Sequence, residues 1–159
     1  MKIYIVSVGS IKEKYLKDAI QEYAKRITKY SSIEFLNIAD EPIPLNASLK
    51  DEEIVKNKEG EKLLKIIPSK SYKVVLDLKG NELNSIELSN KIKDIFTYEN
   101  DKISFIIGGS LGLSNNVLDI ADYRLCFSKM TFPHQLMQVI LLEQLYRGFK
   151  IIHNEKYHK

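Results

Sequence analysis

Two segments in the last third of the chain hold the residue types best suited to binding a small molecule. The first runs Gly108-Gly109-Ser110-Leu111-Gly112, and the second runs Phe127-Ser128-Lys129-Met130-Thr131-Phe132-Pro133-His134. Each segment directly follows an apolar stretch that is typical of a buried strand. In an open α/β sheet, ligands bind outside the carboxyl ends of the strands. The two segments therefore predict a ligand pocket at one edge of a sheet.

The chemistry favoured here is recognition through the main chain. Glycines allow the backbone to turn sharply and to approach a ligand closely. If the strand that ends at Leu76–Leu78 lies beside the other two, all three loops line one pocket, walled by apolar side chains and backbone groups. Such a wall suits a flat heteroaromatic group such as adenine. The glycine spacing matches neither the dinucleotide-binding Gly-x-Gly-x-x-Gly pattern nor a phosphate-binding P-loop.

His134 stands at the start of the final apolar segment, and two roles are open for it. It is either a general acid or base, or a residue that orders the loop where a helix begins. No Ser, Cys or Asp pattern around it predicts a catalytic triad. No His and Cys cluster has metal-ligand spacing, so we expect no metal site. The single cysteine, Cys126, lies in an apolar run and is predicted to be a small buried side chain.

Apolar runs and helical periodicity alternate along the whole chain. The predicted strands are Lys2–Gly9, Ile33–Ala39, Tyr72–Leu78, Lys102–Gly108 and Tyr123–Ser128. Helical spacing lies between them, and a long helix runs from near His134 to about Ile152. Strands that alternate with helices favour an α/β fold with a largely parallel sheet. The length of 159 residues predicts a single domain over residues 1–159.

Local signals set the element ends. Ser48 with Asp51, and Asn84 with Glu87, have the spacing of capping boxes that begin helices. Gly60 weakens the prediction of a continuous helix after Ser48. Lys79-Gly80-Asn81 is predicted as an ordinary turn that closes the third strand.

The final helix carries apolar residues on two faces. A core stripe contains Met137, Leu141, Leu142, Leu145 and Phe149. Leu136, Ile140 and Ile151 fall on the opposite side. A helix that is apolar on two faces is buried on two faces, and in so short a chain a second subunit is one means of covering the second face.

Composition limits the partners. Lys and Arg total 24 and Asp and Glu total 21, which gives a net charge of +3. This mildly basic balance permits an RNA partner without requiring one. No apolar run reaches the roughly 20 residues that a membrane-spanning helix needs, and the first residues lack a signal-peptide pattern. We therefore expect a cytoplasmic protein with no membrane or DNA partner.

The two segments, the long apolar helix after them and the Tyr157-His158-Lys159 ending together resemble the RlmH family. This family comprises bacterial large-subunit rRNA methyltransferases of the SPOUT superfamily. The resemblance extends from the first strand to the last residue, and the block from Ser128 to His134 is its most specific part. It implies an α/β SPOUT fold with a C-terminal trefoil knot.

The resemblance also implies a cofactor, a substrate and an assembly. S-adenosylmethionine would be the methyl donor, and N3 of a pseudouridine in 23S rRNA of the assembled 70S ribosome would be the acceptor. The enzyme would be a homodimer. The cofactor contacts implied at matching positions are Leu76, Gly108, Phe127, Ser128, Lys129, Met130, Thr131 and Phe132.

The resemblance gives the C-terminal tail a part in the partner's active site. His158 or a water molecule is then a candidate for the base that removes the N3 proton. Lys159 stands where some relatives are expected to have arginine, so the charge stays but the bidentate fork is lost. The alternative interpretation of the polar tail is a frayed terminus.

Three other functions remain as alternatives. A SPOUT methyltransferase could act on another RNA such as tRNA, and a ribosome-binding factor could keep the fold without catalysis. A generic hydrolase-like α/β enzyme is disfavoured because the sequence offers no pair of nucleophile and base.

Overall fold

A five-stranded parallel sheet forms the centre of the computed structural model, which describes residues 1–159. The strands are β1 Lys2–Val8, β2 Ser32–Ile38, β3 Tyr72–Glu82, β4 Lys102–Ile107 and β5 Tyr123–Cys126. Their order across the sheet is β2-β1-β4-β3-β5, and every neighbouring pair is parallel. The predicted α/β class with a largely parallel sheet is therefore confirmed.

Helices cover both faces of the sheet. They are α1 Lys14–Ile27, α2 Leu49–Ile66, α3 Ser85–Asp94, α4 Asn115–Asp119 and α5 His134–Ile152, and a π-helical turn over Ile95–Glu99 continues α3. One core cluster joins α1, α3 and α5 to one face, with Phe105 and Phe149 among its largest buried side chains. A smaller cluster joins α2 and α4 to the other face. Parallel strands buried on both faces explain the continuous apolar runs in the sequence.

Both predicted capping boxes are present. The Ser48 side chain accepts a hydrogen bond from the Asp51 backbone N–H, and the Asp51 carboxylate accepts from the Ser48 backbone N–H. Asn84 and Glu87 form the same reciprocal pair at the start of α3.

Helix α2 is continuous through Gly60, and close packing explains this glycine. A Cβ atom there would lie 1.9 Å from Ser114 Oγ and 2.8 Å from Asn116 Oδ1. Any larger residue would push α2 away from the start of α4.

Strand β3 is longer than the sequence predicts. Lys79-Gly80-Asn81 does not close the strand, because β3 continues to Glu82. The pairing with β5 shifts register between Leu76 and Asn81, so the residues between them bulge out of the sheet before β3 rejoins β5. The prediction that the strand ends at Lys79-Gly80-Asn81 is therefore wrong, although regular pairing is interrupted just before Asn81.

Helix α5 has the predicted bounds and a half-covered outer side. Met137, Leu141 and Leu145 are buried, whereas Leu136 is 37% exposed and Ile140 is half-buried.

No helix in the structure has both the length and the apolar character that a membrane span requires.

Candidate functional site

A cavity opens at the carboxyl ends of β3, β4 and β5, which lie side by side in the sheet. Its volume is about 190 Å³. The glycine-rich loop after β4 forms one wall, the loop after β5 forms another, and Leu76 and Leu78 of β3 contribute to the rest. The structure thus brings together the three segments that the sequence predicts around one pocket.

Seven of the eight residues predicted to contact a cofactor line this cavity: Leu76, Gly108, Phe127, Ser128, Met130, Thr131 and Phe132. The eighth, Lys129, lies outside it and lines a shallow groove beside Glu82 and Asn84. Individual contacts between these residues and a cofactor stay predictions.

A second cavity of about 370 Å³ adjoins the first. The two share Leu125, Cys126, Phe127, Ser128 and Phe132 as lining residues. The second cavity continues towards the start of α3 and towards Ile140 and Gln144 of α5. Binding sites for small molecules typically measure roughly 300–1,000 Å³, so a ligand larger than a single ring system has room only if it occupies both cavities.

Short-range hydrogen bonds hold the loop between the two cavities. The Met130 backbone N–H donates to Ser128 Oγ at 3.0 Å, and Cys126 Sγ donates to the Ser128 carbonyl oxygen at 3.2 Å. Cys126 is buried, as predicted for a small apolar side chain, and it also positions the loop.

Asp77 has the one buried side-chain N or O atom in the structure that lacks a hydrogen-bond partner, and this atom is Oδ2. Oδ1 accepts a hydrogen bond from the Lys79 backbone N–H at 3.0 Å. Arg124 Nη1 lies 3.8 Å from Oδ2, which is an ion-pair distance but too long for a hydrogen bond. Because buried polar atoms are rarely left unpaired and Asp77 lines the first cavity, Oδ2 is an acceptor suited to a hydroxyl or ammonium group of a ligand.

His134 lines the same cavity at the start of α5. Its Nε2 atom lies 3.7 Å from the position that a Cβ atom on Gly9 would occupy, so the ring stands close to the end of β1. Both roles that the sequence leaves open for His134 stay predictions.

The C-terminal tail is docked on its own chain. Asn154 adopts a φ of 54° after the last turn of α5 and reverses the chain. Glu155 then accepts hydrogen bonds from Lys29, Tyr30 and Lys150. Tyr157 packs edge-on against Tyr146 with 4.9 Å between ring centroids. The interpretation of the tail as a frayed end is therefore wrong for these residues.

His158 lies outside the cavity of its own chain. Its Nδ1 atom is 3.4 Å from Arg147 Nη1, and Arg147 is paired with Glu143. Arg147 follows His134 by thirteen residues along α5, a rise of about 20 Å. The structure therefore separates the predicted catalytic residue from the predicted cofactor residues within one chain.

The docked tail predicts a loss of stability in acid. Hydrogen bonds from Lys150, Lys29 and Tyr30 lower the pKa of the Glu155 carboxyl to about 2. Because the ordinary pKa is 4.5, this carboxylate stabilises the fold above pH 4.5, and its contribution is lost as the pH falls towards 2. Urea unfolding should show that Glu155→Gln is less stable than the wild type at pH 7 and that the difference is smaller at pH 3.

A surface ion pair provides the control for this effect. Glu22→Gln removes the exposed pair with Arg26 and should change stability little at either pH. A difference between Glu155→Gln and the wild type that is as large at pH 3 as at pH 7 would contradict the assignment of this titration to Glu155.

Comparison with known proteins decides the family. A family model described as a predicted SPOUT methyltransferase matches residues 1–158. The chain belongs to the SPOUT methyltransferase family. Relatives named ribosomal RNA large subunit methyltransferase H cover the whole chain and are covered by it completely; they are 57% identical in Alkaliphilus oremlandii, 55% in Clostridium acetobutylicum and 52% in Clostridium tetani. The predicted resemblance is therefore confirmed.

A solved structure shares the overall fold of this chain. A probable methylase family protein from Haemophilus influenzae matches with a TM-score of 0.53 and 15% sequence identity. The match covers 99% of this chain and 70% of the other. At this identity the likeness concerns the fold alone, and the trefoil knot stays a prediction.

Membership of the SPOUT family makes the chain a methyltransferase and implies a methyl donor of the S-adenosylmethionine type. The fit between this donor and the site rests on Asp77. S-adenosylmethionine carries hydroxyl and ammonium donors, which match the unpaired Oδ2, and an adenine ring, which matches the apolar wall. Asp77 lies within the span Leu76–Leu78 that was predicted to line the pocket, but no role was predicted for its carboxylate. The one signal in the sequence was a charged residue at the end of an apolar strand.

Proposed function

We propose that this protein uses S-adenosylmethionine to methylate N3 of a pseudouridine in 23S rRNA, and that its substrate is the assembled 70S ribosome. Full-length similarity to proteins named ribosomal RNA large subunit methyltransferase H carries this proposal. The cavity at the ends of β3, β4 and β5 supports it, because a methyl donor needs a site of this kind. Residues 1–159 act as a single domain, and action on ribosomes implies a cytoplasmic location.

The cofactor is held mainly by backbone and apolar groups. Gly108, Phe127, Ser128 and the span from Met130 to Phe132 form the walls and Leu76 closes the β3 side. Asp77 Oδ2 accepts a hydrogen bond from a cofactor hydroxyl or ammonium group. When bound, S-adenosylmethionine supplies a methyl group activated by a sulfonium. The task of the protein is to orient the acceptor nitrogen in line with that methyl, and positioning of this kind contributes much of the rate.

An Asp77→Asn variant tests the cofactor geometry. Asparagine keeps the acceptor for the Lys79 N–H but replaces the unpaired oxygen with a donor. A hydrogen bond to a charged group contributes about 1.5–3 kcal/mol, so the Kd for S-adenosylmethionine should rise roughly ten- to a hundredfold in calorimetry.

Asp122→Asn is the matched control. Asp122 also accepts a hydrogen bond from a backbone N–H, that of Lys73. It lies just before β5, at the amino ends of the strands, whereas the cavity lies at their carboxyl ends. Its variant should bind the cofactor normally. Wild-type affinity in Asp77→Asn would exclude a contact between Oδ2 and the cofactor.

The methyl group replaces the N3 proton, so one proton leaves the base for each methyl that it gains. Two imidazoles are candidates to receive this proton, alongside water. His134 lines the cavity of its own chain. His158 does not, and it takes part only if a second copy places its tail over the cavity.

We propose a homodimer because it explains both the tail and the apolar surface around the cavities. Exposed apolar side chains lie at the first cavity, which Leu78, Met130 and Phe132 line, and on the neighbouring helices at Ile86 and Leu136. Exposed apolar surface of this kind supports an interaction site there. A second copy packed there brings its Tyr157–Lys159 tail to the cofactor, so that two chains complete one active site.

The modest net charge fits a substrate that is already folded. These 159 residues carry a net charge of +3 and neutralise few phosphates by themselves. The shape of the ribosome around the target then supplies the selectivity that free RNA lacks.

A methyl-transfer assay decides the substrate class. The protein is incubated with radiolabelled S-adenosylmethionine and with 70S ribosomes, 50S subunits or bulk tRNA, the ribosomes coming from cells that lack this activity. Label confined to 23S rRNA of 70S ribosomes is the expected result. Label in tRNA would show that the substrate is tRNA and not 23S rRNA. Cofactor binding without any label would favour a ribosome-binding factor that lacks catalysis.

A further inference from the structure

A separate cavity of about 260 Å³ lies at the carboxyl ends of β1 and β2, beside α1 and α5. We call it the β1–β2 recess, and it is lined by Ser7, Gly9, Lys17, Phe35, Asn37 and Gln138 among others. Its volume is below the roughly 300–1,000 Å³ typical of sites for drug-sized ligands. A single nucleobase is therefore a better match in size than a whole cofactor.

The floor of the recess is polar and unpaired. Ser7 and Gln138 line the recess and are each only 5% exposed, and their polar atoms, unlike the enclosed Asp77 Oδ2, are open to the recess and have no protein partner. Buried polar side chains usually have partners. A Gln amide presents both donors and an acceptor, and a Ser hydroxyl can act as either. The floor is thus able to pair with a ligand that carries both kinds of group, as the edge of a base does.

The rim adds an aromatic ring and a second amide. Phe35 is 40% exposed, although it lies on a strand with an apolar core face. Asn37 follows it by two residues and therefore lies on the same face of β2. Asn37 is also the register partner of Ser7 on β1, which places its amide next to the polar floor. An exposed aromatic face beside amides provides both stacking and edge contacts for a base.

The charges at the recess favour an anion. Lys17 is exposed at the rim, and the nearby Asp18 pairs with Lys14 instead. Helix α1 begins beside the recess without a side-chain cap and without an acidic residue in its first turn, although Glu13 occupies its N-cap position. The uncapped N–H groups of a helix N-terminus are able to bind a phosphate. Here it adds to the buried, unpaired Ser7 and Gln138, which point to a ligand independently.

The recess adjoins the proposed reaction site. Gly9 lines the recess, and His134 Nε2 lies 3.7 Å from the position of a Cβ atom on Gly9. His134 in turn lines the cofactor cavity. Two nucleotides that are close in an RNA structure can therefore occupy the two sites at the same time.

We propose that the β1–β2 recess binds one nucleotide of the RNA substrate other than the nucleotide that is methylated. Phe35 stacks on its base, Asn37, Gln138 and Ser7 contact the base edge, and Lys17 with the start of α1 binds the phosphate. This inference rests on the proposed function, since it assigns a second contact to the same RNA. It identifies residues that select the substrate without taking part in methyl transfer.

Phe35→Ala and Asn37→Ala test the recess in the full-length protein. Both side chains are exposed, so the fold should persist. The Kd for 70S ribosomes, measured by co-sedimentation, and the KM for ribosomes should rise roughly ten- to a hundredfold in Phe35→Ala, because a stacked base is lost. The value of kcat, the Kd for S-adenosylmethionine and the oligomeric state should stay unchanged.

Lys17→Ala and Lys25→Ala form a matched pair. Both remove one exposed lysine from α1, but Lys25 lies about two turns beyond Lys17 and does not line the recess. Only Lys17→Ala should weaken ribosome binding and flatten its dependence on salt concentration.

Three outcomes would overturn the proposal. If Phe35→Ala and Asn37→Ala both keep the wild-type Kd and KM for ribosomes, the recess binds no nucleotide. A change of oligomeric state would assign it to a second copy of the chain. Failure of the wild type to bind ribosomes would refute both proposals. If the wild type binds ribosomes but transfers no methyl group, the proposed reaction fails, and the binding comparison still decides the recess.

Discussion

Gly108→Arg should abolish measurable binding of S-adenosylmethionine in calorimetry. Gly108 lines the first cavity directly after β4. A Cβ atom at this position would lie 2.8 Å from the Gly112 carbonyl carbon and 3.0 Å from Leu113 Cγ. Any side chain must therefore displace the loop, and an arginine side chain also fills a cavity of about 190 Å³. Displacement of the loop and filling of the cavity both weaken the binding of S-adenosylmethionine.

Two further variants separate a blocked cavity from a damaged fold. Asn115→Arg places the same side chain at an exposed position just beyond the loop and should bind the cofactor normally. Leu76→Trp narrows the cavity from the β3 side without touching the glycine loop and should also lose binding. Circular dichroism and thermal unfolding establish that each variant is folded. A folded Gly108→Arg protein with wild-type affinity would refute the assignment of the cofactor to this cavity.

Removal of Tyr157–Lys159 should leave the Kd for S-adenosylmethionine unchanged and should reduce methyl transfer to ribosomes roughly a hundredfold or more, as expected when a positioned group is lost. The reason is geometric. The tail contacts Tyr146, Arg147 and Glu143 of its own α5, well away from its own cavity. Its loss can therefore affect catalysis only through a partner subunit.

Mixed dimers make the tail test independent of any local damage. Gly108→Arg chains retain the tail but lack a usable cavity, whereas truncated chains retain the cavity but lack the tail. Unfolding and refolding the two together should restore part of the activity, because a heterodimer contains one complete site. Lys156→Ala, an exposed change in the same tail, should remain active. Full activity of the truncated protein alone would contradict a catalytic tail.

The sequence was sufficient to predict most elements of the fold because their signals are local. The capping pairs at Ser48 and Asn84 and the two-faced pattern of α5 all depend on residues a few positions apart. Predictions were wrong where a distant segment decides the conformation. Strand β3 passes through Lys79-Gly80-Asn81 because β5 offers it a second stretch of pairing. The helix predicted after Ser48 is present, by contrast, and it contains Gly60 because α4 packs closely against it.

In the site, too, features set by local sequence were predictable and features set by distant segments were not. The pocket was predictable because loops that follow parallel strands meet at one edge of the sheet. The unpaired oxygen of Asp77 was not, because its lack of a partner depends on the bulge in β3 and on the reach of Arg124. The docking of Glu155 on Lys29 and Tyr30 joins residues more than 120 positions apart and has no local signal.

Nucleoside mass spectrometry is the decisive experiment for the proposed methylation of 23S rRNA. Ribosomes that lack the modification are incubated with the protein and S-adenosylmethionine, and their 23S rRNA is then digested to nucleosides. The expected product is a single new species, a pseudouridine with one methyl group on N3 of the base, which is absent when Gly108→Arg replaces the wild type. A methyl group on a ribose or on another nucleoside, or no methylated product at all, would contradict the proposed methylation.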